Sequence, residues 1–473
     1  MTAPASTSLF KNPSLLRLYL LLIPGSLIVS AAMGYDSSLM NGIQGVDRWQ
    51  NYFNHPQGSL LGIMNAILPL GAVFGTIPAA WISDHHGRRW AMAVGDVIVI
   101  LSTIASSSAP MLAAELAHPE SRTTLTSMYN TLWYLGSIIA AWTTYGTYRI
   151  NSEWSWRLPT ALQALPAIIN LIGLWFLPES PRWLVGQDRH DEARDILIKY
   201  HANGDQDSAF VAAEFEEIRT ALQLELAGSR SWKELVQTKA NRHRTFLVIC
   251  CAFFPQWSGN GLVSYYIAPV LRSIGINSQE DVTLINGILQ IWNMIVAMTG
   301  ANLVNRVGRR PLFVVATSCM LAGMVAWTIT GSVFARTKSE ATGAGILICV
   351  IFFASSYNIC WNPLAVAYPV EILPFNIRAK GIALLMGSIK GASFFNQFVN
   401  PIGLKNLGWK YYIVYCVWLC IVLITVFFMF PETKNRSLEE ISEVFEKHSE
   451  GAPEKQVEAT DIECIEHRRN EKD

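Results

Sequence analysis

The chain has 473 residues, 51% of them hydrophobic and only 15% charged, with a mean hydropathy of +0.27 and a formal net charge of zero. That is too apolar for an ordinary soluble enzyme, and the lack of net charge removes the electrostatic footprint of a nucleic-acid binder. The 16 Trp, 15 Tyr and 21 Phe suit a protein with two membrane–water interfaces to populate.

Apolar stretches of about 20 residues predict membrane-crossing helices. The first half holds five of them: Leu18–Met40, Leu60–Ile82, Ala91–Ala109, Leu125–Thr147 and Leu158–Leu177. The polar N-terminus, Met1 to Arg17, has no small-residue cleavage site, so the first span is expected to stay as an anchor. A charged, amphipathic stretch follows from Arg182 to Arg244, where Ser231 and Glu234 have the spacing of a capping box. The second half holds six spans: Phe246–Ile274, Leu284–Val304, Leu312–Phe334, Gly343–Pro369, Ile382–Ile402 and Tyr411–Phe430. The expected architecture is an all-α membrane protein of eleven apparent spans. Residues 1–181 form a shortened N-terminal bundle, 182–244 a cytoplasmic helical linker, 245–445 a six-helix bundle and 446–473 a disordered cytoplasmic tail. Seven of the eight cysteines lie in or beside apolar runs and read as packing residues, with no paired metal spacing.

The halves repeat one another. Asp84-His85-His86-Gly87-Arg88-Arg89 follows the second span, and Asn305-Arg306-Val307-Gly308-Arg309-Arg310 follows its counterpart. Pro178-Glu179-Ser180-Pro181-Arg182 closes one half and Pro431-Glu432-Thr433-Lys434 the other. The repeat predicts two pseudo-symmetric bundles around a central cavity. It also exposes a deficit: Asp84 and Pro178 are 94 residues apart, Asn305 and Pro431 are 126 apart, and the difference is 32. Only 25 residues separate Arg89 from Glu115, where two crossings need about 40. The joint falls near Ser106–Pro110.

The positive-inside rule places Arg88, Arg89, Arg309, Arg310 and the Arg182–Arg244 stretch on one face. Three rigid spans between Arg89 and Arg182 would put those ends on opposite faces. Either Ala91–Glu115 forms a short non-spanning hairpin, or the chain is a shortened form of a longer parent; the charges favour the second. The gap is expected to expose Asp36 and Asn130 to lipid or solvent. It also predicts poor surface expression and no concentrative transport, both recovered when about 25–35 residues are restored between Ala105 and Ala109.

Gly34-Tyr35-Asp36, the two Gly-Arg-Arg loops, Pro178-Glu179-Ser180-Pro181-Arg182-Trp183, Gln256-Trp257-Ser258-Gly259 and Pro431-Glu432-Thr433-Lys434 together resemble the sugar porter family of the major facilitator superfamily. Gln256 to Leu262 and Asn396-Gln397-Phe398-Val399-Asn400-Pro401 resemble its fungal lactose-permease-like and hexose-transporter branch. The resemblance implies a twelve-span carrier whose two bundles rock about a sugar at mid-membrane. It further implies a plasma-membrane location with both termini cytoplasmic.

Sugar hydroxyls call for neutral amides, which both donate and accept. Gln256 matches the second glutamine of the family's paired signature, whose first is Pro255 here; the later asparagine is Gly261, with Asn260 one place earlier. Asn293 keeps the family's spacing before Gly308. Asn130 replaces a glutamine, Asn396 matches a late asparagine, and Trp361 lies five positions before Val366, where the family has a tryptophan. Asp36 is the proton candidate, because a carboxylate within a span must be neutral or partnered. The arginine with which the family pairs it belongs to the missing segment. Lys390, also inside a span, is expected to snorkel to an interface, the alternative being that it replaces that lost cation.

Asp84, Arg88, Arg89, Arg309 and Arg310, with the pairs Glu115–Arg122, Glu179–Arg182 and Glu371–Arg378, resemble the family's cytoplasmic gate and are expected to lock the bundles outward-open. The leading expectation is proton-coupled symport of a hexose or a disaccharide such as lactose. A uniporter, a sensor or an inactive isoform are the alternatives. No His-Glu-x-x-His or nucleophile–base pair supports an enzyme. No cofactor, metal or nucleic acid is expected; the partners are a sugar, a proton and the bilayer, and the chain is expected to be a monomer.

Overall fold

The structure, a computed structural model, describes residues 13–99, 112, 116, 122–227, 232–434, 440, 441, 444 and 445. In the first half, α1 (Pro13–Leu22) passes through a π turn at Ile23–Leu27 into α2 (Ile28–Ile43). Pro24 within that turn has no N–H for the helical ladder, and the winding widens there. The short α3 (Asp47–Tyr52), α4 (Ser59–His86), α5 (Arg88–Val99) and α6 (Arg122–Thr147) follow. Next, α7 (Trp154–Leu162) and α8 (Ala164–Phe176) form one segment interrupted at Gln163.

The linker carries α9 (Pro181–Gly186), α10 (His190–Tyr200), α11 (Ala209–Ala227) and α12 (Glu234–Gln237). The second half consists of α13 (Lys239–Trp257), α14 (Asn260–Ser273), α15 (Gln279–Val307), α16 (Arg309–Thr337), α17 (Glu340–Ile372) and α18 (Phe375–Leu407). A 3₁₀ turn at Gly408–Lys410 leads to α19 (Tyr411–Met429). Ser231 lies outside the described residues. α12 starts at Glu234, whose carboxylate binds Lys380 at 2.8 Å.

Seven helical segments among the described residues are long and apolar enough to cross a membrane, and the last, Lys380–Met429, contains two helices. α4 and α6, with 28 and 26 residues, reach about 42 and 39 Å at 1.5 Å per residue. Most helices outrun the apolar stretches that predict them, because polar residues continue the backbone ladder beyond the hydrocarbon. Trp175, Phe428 and Phe74 are 80%, 77% and 69% exposed; lipid solvates such side chains where water would not.

Close packing inside the first half depends on two glycines. A Cβ on Gly34 would lie 1.7 Å from the Trp133 carbonyl oxygen, and one on Gly136 would lie 1.8 Å from that of Ala31. α2 and α6 therefore meet backbone to backbone, as small residues permit in membranes.

The expected clash of faces does not arise. Backbone N–H groups of Arg88 and Arg89 reach the Glu179 carboxylate at 3.1 Å, so both loops share one face. Leu112 and Leu116 pack in one buried cluster with Met92, Leu15, Leu18 and Tyr200, and Leu116 O lies 3.4 Å from the ring of His201. The chain has therefore returned by Leu112 to the face it left at Arg88. α5 is described over the 12 residues Arg88–Val99. The joint at Ser106–Pro110 lies outside the described residues.

Cys250, Cys251 and Cys360 are buried, Cys319, Cys349 and Cys416 half-buried and Cys420 exposed, and all are free thiols. Among the described residues no cluster has the composition of a metal site.

Candidate functional site

The second half supplies most of a polar cavity between the bundles. Its first transmembrane segment is broken twice. Gly259 takes φ +99°, which separates α13 from α14, and Tyr266 interrupts α14 with φ −135° and ψ 26°. Gln256 and Asn260 flank the first break and line the cavity. Broken helices at mid-membrane are tolerated where the freed backbone faces a cavity. α15 adds Gln290 and Asn293, α17 adds Tyr357, Asn358, Trp361 and Asn362, and α18 adds Lys390, Ser393 and Gln397. The first half contributes Asp36 to Ser38 from α2 and Trp133 and Tyr134 from α6. The space is about 330 Å³.

A hydrogen-bonded chain crosses between the halves here. The Tyr134 hydroxyl donates to Asn358 Oδ1 at 2.5 Å and accepts from Asn362 Nδ2 at 3.0 Å. Asn358 Nδ2 donates to Asn293 Oδ1 at 2.9 Å. Gln256 differs: its side-chain amide makes no hydrogen bond among the described residues, although it faces the cavity. Trp361 lines the space while its Nε1 donates to the Thr317 hydroxyl at 3.1 Å.

Four of the predicted sugar ligands, Gln256, Asn260, Asn293 and Trp361, thus share one cavity. Asn396 does not join them. Its Nδ2 donates to the backbone carbonyl of Gln256, and it packs against Gly261, ties that hold α18 to the broken segment. The side chain of Asn130 lies outside the described residues. Sequence reasoning missed Tyr134, Gln290, Asn358, Asn362 and Gln397. A signal existed in the pairs Gln290/Asn293, Asn358/Asn362 and Ser393/Gln397, each spaced to share a helix face.

Asp36 also lines the cavity, where the residue is half-buried. Its Oδ1 is sealed and has no hydrogen-bond partner. Lys390 does not snorkel to an interface; it lines the same cavity from the opposite half. A larger cavity of about 540 Å³ lies at the far face from the charged loops, lined by Arg272, Lys338, Lys405 and aromatic rings. The amides converge on the smaller one.

The charged loops form two matched corners. Glu179 accepts from the N–H groups of Arg88, Arg89 and Ser180 at 3.0–3.1 Å, capping α5. Glu432 accepts from those of Arg309, Arg310, Thr433 and Lys434 at 2.8–3.0 Å, capping α16. The Arg89 guanidinium binds the Leu174 carbonyl at 2.6 Å, and Arg310 binds that of Phe427 at 2.8 Å. Glu371 pairs with Arg309 at 2.7 Å, not with Arg378, which donates to the Leu373 carbonyl at 3.1 Å. Arg182 is the second residue of α9. The side chains of Asp84 and Arg122, and all of Glu115, lie outside the described residues.

The bonds just given stay within one half. The halves latch at the opposite face instead. Asn41 donates to Asn286 at 3.1 Å, Gln44 to the Tyr265 carbonyl at 3.1 Å, Arg272 pairs with Asp47 at 3.2 Å, and Arg149 with Glu280 at 3.0 Å.

The sequence profile of the sugar (and other) transporter family matches residues 24–109 and 100–445. The chain belongs to that family. A high-affinity glucose transporter of Candida albicans is 29% identical over 462 residues, covering 89% of this chain and 85% of its own length. A high-affinity glucose transporter of Kluyveromyces lactis is 26% identical, covering 87% and 82%. The inward-open structure of the xylose transporter XylE from E. coli superposes with a TM-score of 0.74 at 22% identity, covering 90% of this chain and 99% of that one. As a member of the sugar (and other) transporter family, the protein is a multi-pass membrane carrier of the major facilitator fold and not an enzyme.

Proposed function

We propose that the protein moves a monosaccharide-sized sugar across the plasma membrane by alternating access, coupled to a proton carried at Asp36. The observation that carries this reading is the unpaired Gln256 amide at the break between α13 and α14, facing a cavity ringed by Asn260, Asn293 and Trp361. An amide with unspent donors and acceptors is suited to sugar hydroxyls. The volume, about 330 Å³, sits at the lower end of ligand pockets, roughly 300–1,000 Å³, and favours a hexose over a disaccharide such as lactose. Relatives named as glucose transporters support the same choice.

Proton coupling rests on Asp36, whose buried oxygen has no partner. The other titratable groups lining the cavity are Tyr134, Tyr265, Tyr357 and Lys390. One structural relative is a proton:xylose symporter. In this reading residues 1–181 and 245–445 are the rocking bundles, with both termini and the charged loops cytoplasmic. The 32-residue deficit between the repeats marks the chain as shortened from a longer parent. The profile matches in two pieces that overlap at residues 100–109, which supports a shortening there.

The assembled cavity predicts sugar exchange by this chain, while the shortened first half predicts weak accumulation. Labelled glucose exchange in reconstituted vesicles tests the first; absence of saturable exchange overturns the sugar reading. Asp36→Asn should retain exchange and lose accumulation driven by an inside-alkaline gradient, both here and in a chain with about 25–35 residues restored after Ala105. Undiminished accumulation in that variant would remove Asp36 from the mechanism.

A further inference from the structure

Lys390 lies near the centre of α18, 15 residues from Phe375 and 17 from Leu407. At 1.5 Å per residue that is about 22 and 26 Å from the two helix ends, whereas half a hydrocarbon core is about 15 Å. A lysine stem cannot carry its ammonium to either interface from there. It points inward instead: Lys390, Ser393 and Gln397 follow at three- and four-residue spacing, and all three line the central cavity.

Among the described residues Lys390 makes no hydrogen bond and no ion pair. Asp36, the other charged group of the lining, stands on the opposite half, and no ion pair joins the two. A neutral hexose would leave this ammonium facing the cavity without a counter-charge, an expensive arrangement in a low-dielectric space. Once Asp36 holds its proton, the lining is one positive charge in excess. The complementary substrate carries one negative charge.

We propose that Lys390 binds a substrate carboxylate and that the preferred cargo is an acidic monosaccharide, a hexuronate or an aldonate. This rests on the sugar-carrier reading above and narrows its substrate class. Gln256, Asn260 and Asn293 still take the hydroxyls, while Lys390 anchors the acid group. Proton and anion would then enter the cavity together with no net charge added.

Binding of D-glucuronate and D-glucose to the purified full chain in lipid nanodiscs, by competition against each labelled sugar, tests this. D-glucuronate should bind at least about tenfold more tightly than D-glucose, the scale of one charge-assisted hydrogen bond. Lys390→Gln should lose that preference, the ratio of glucuronate to glucose affinity falling by at least about tenfold, and Lys390→Arg should retain it. Glucose binding without a glucuronate preference would overturn the inference and leave the sugar reading standing; binding of neither would overturn both. If Lys390→Gln keeps the preference but loses proton-driven accumulation, Lys390 serves coupling and the inference falls.

Discussion

The corners at Glu179 and Glu432 have the same backbone design and opposite electrostatics. Each begins with a glycine that only glycine can occupy comfortably: Gly87 at φ 99°, ψ 164° and Gly308 at φ 107°, ψ 164°. Each glutamate caps the next helix, and each second arginine binds a carbonyl five residues before that glutamate. Burial nevertheless pushes the Glu179 carboxyl above its ordinary 4.5, against the pull of the Ser180, Arg89 and Arg88 N–H groups. At Glu432 burial pulls the same way, but four N–H groups outweigh it and hold the carboxyl below 4.5. Thr433 and Arg309 extend the second corner to Glu371. The Ser180 hydroxyl, at the position matching Thr433, turns back to cap α9 at Trp183. Duplicated loops thus keep a fold while differing in how firmly each holds its charge.

The largest expected effect comes from removing the extension found at the second corner. Glu371→Gln leaves the Arg309 guanidinium, 16% exposed, without its carboxylate. A loss of about 3 kcal/mol is expected, between the surface and fully buried limits, read as thermal unfolding in detergent. A shift near zero would mean that Arg309 finds a substitute.

The glycines are next. A Cβ on Gly87 would sit 2.5 Å from Glu179 Oε2, and one on Gly308 2.9 Å from Glu432 Oε2. Both carboxylates are pinned by backbone N–H groups and cannot swing clear. Gly87→Ala and Gly308→Ala should each destabilise by about 1–3 kcal/mol, the first more than the second. The reverse order, seen in melting temperatures, would break the packing comparison.

The pH comparison has a smaller amplitude. Glu432, with its folded pKa lowered, contributes stability above its unfolded value and loses it as pH falls through the folded one. Glu432→Gln should therefore be destabilising near neutrality, by about 1.5 kcal/mol, and nearly silent in acid. Glu179, with its folded pKa raised, behaves oppositely: stability falls as pH rises from the unfolded toward the folded value. Glu179→Gln should remove that fall and change the neutral-pH stability less. Parallel pH profiles for the two variants would contradict the assigned directions.

The smallest expected effect concerns the bridge between the halves. Tyr134→Phe removes the bonds to Asn358 and Asn362 and should weaken sugar binding by about 1 kcal/mol. Gln256→Ala, which removes an amide facing the cavity, should weaken it by about 1–3 kcal/mol. Equal affinities in wild type and Gln256→Ala would dissolve the contrast between a bridging and a cavity-facing polar group.

Much of this is legible in the order of the amino acids. Hydropathy alone locates the membrane helices, because a bilayer demands long uninterrupted apolar runs whatever their neighbours. The paired Gly-Arg-Arg loops and closing Pro-Glu motifs reveal the duplication, since a glycine-only conformation and a capping carboxylate are local requirements. The 32-residue deficit is a matter of counting between matched motifs. Partner choice is less legible. Glu371 binds Arg309, 62 positions away in the chain, and not the nearby Arg378; the return of the chain by Leu112 depends on a cluster drawn from α1, α5 and the linker.

The sequence by itself determined the helical membrane class, the two-bundle repeat and the inventory of amides and charges inside the spans. Those properties depend on composition and on local backbone rules. Only the tertiary structure decided which polar side chains share a space. Asn396 became an interhelical tie, Asn358 and Tyr134 joined the cavity, and Lys390 came to face it opposite Asp36. A polar residue within an apolar helix must find a partner, but which one depends on how two helices rotate and cross. That rotation is set by many weak packing contacts at once, and no single stretch of chain encodes it.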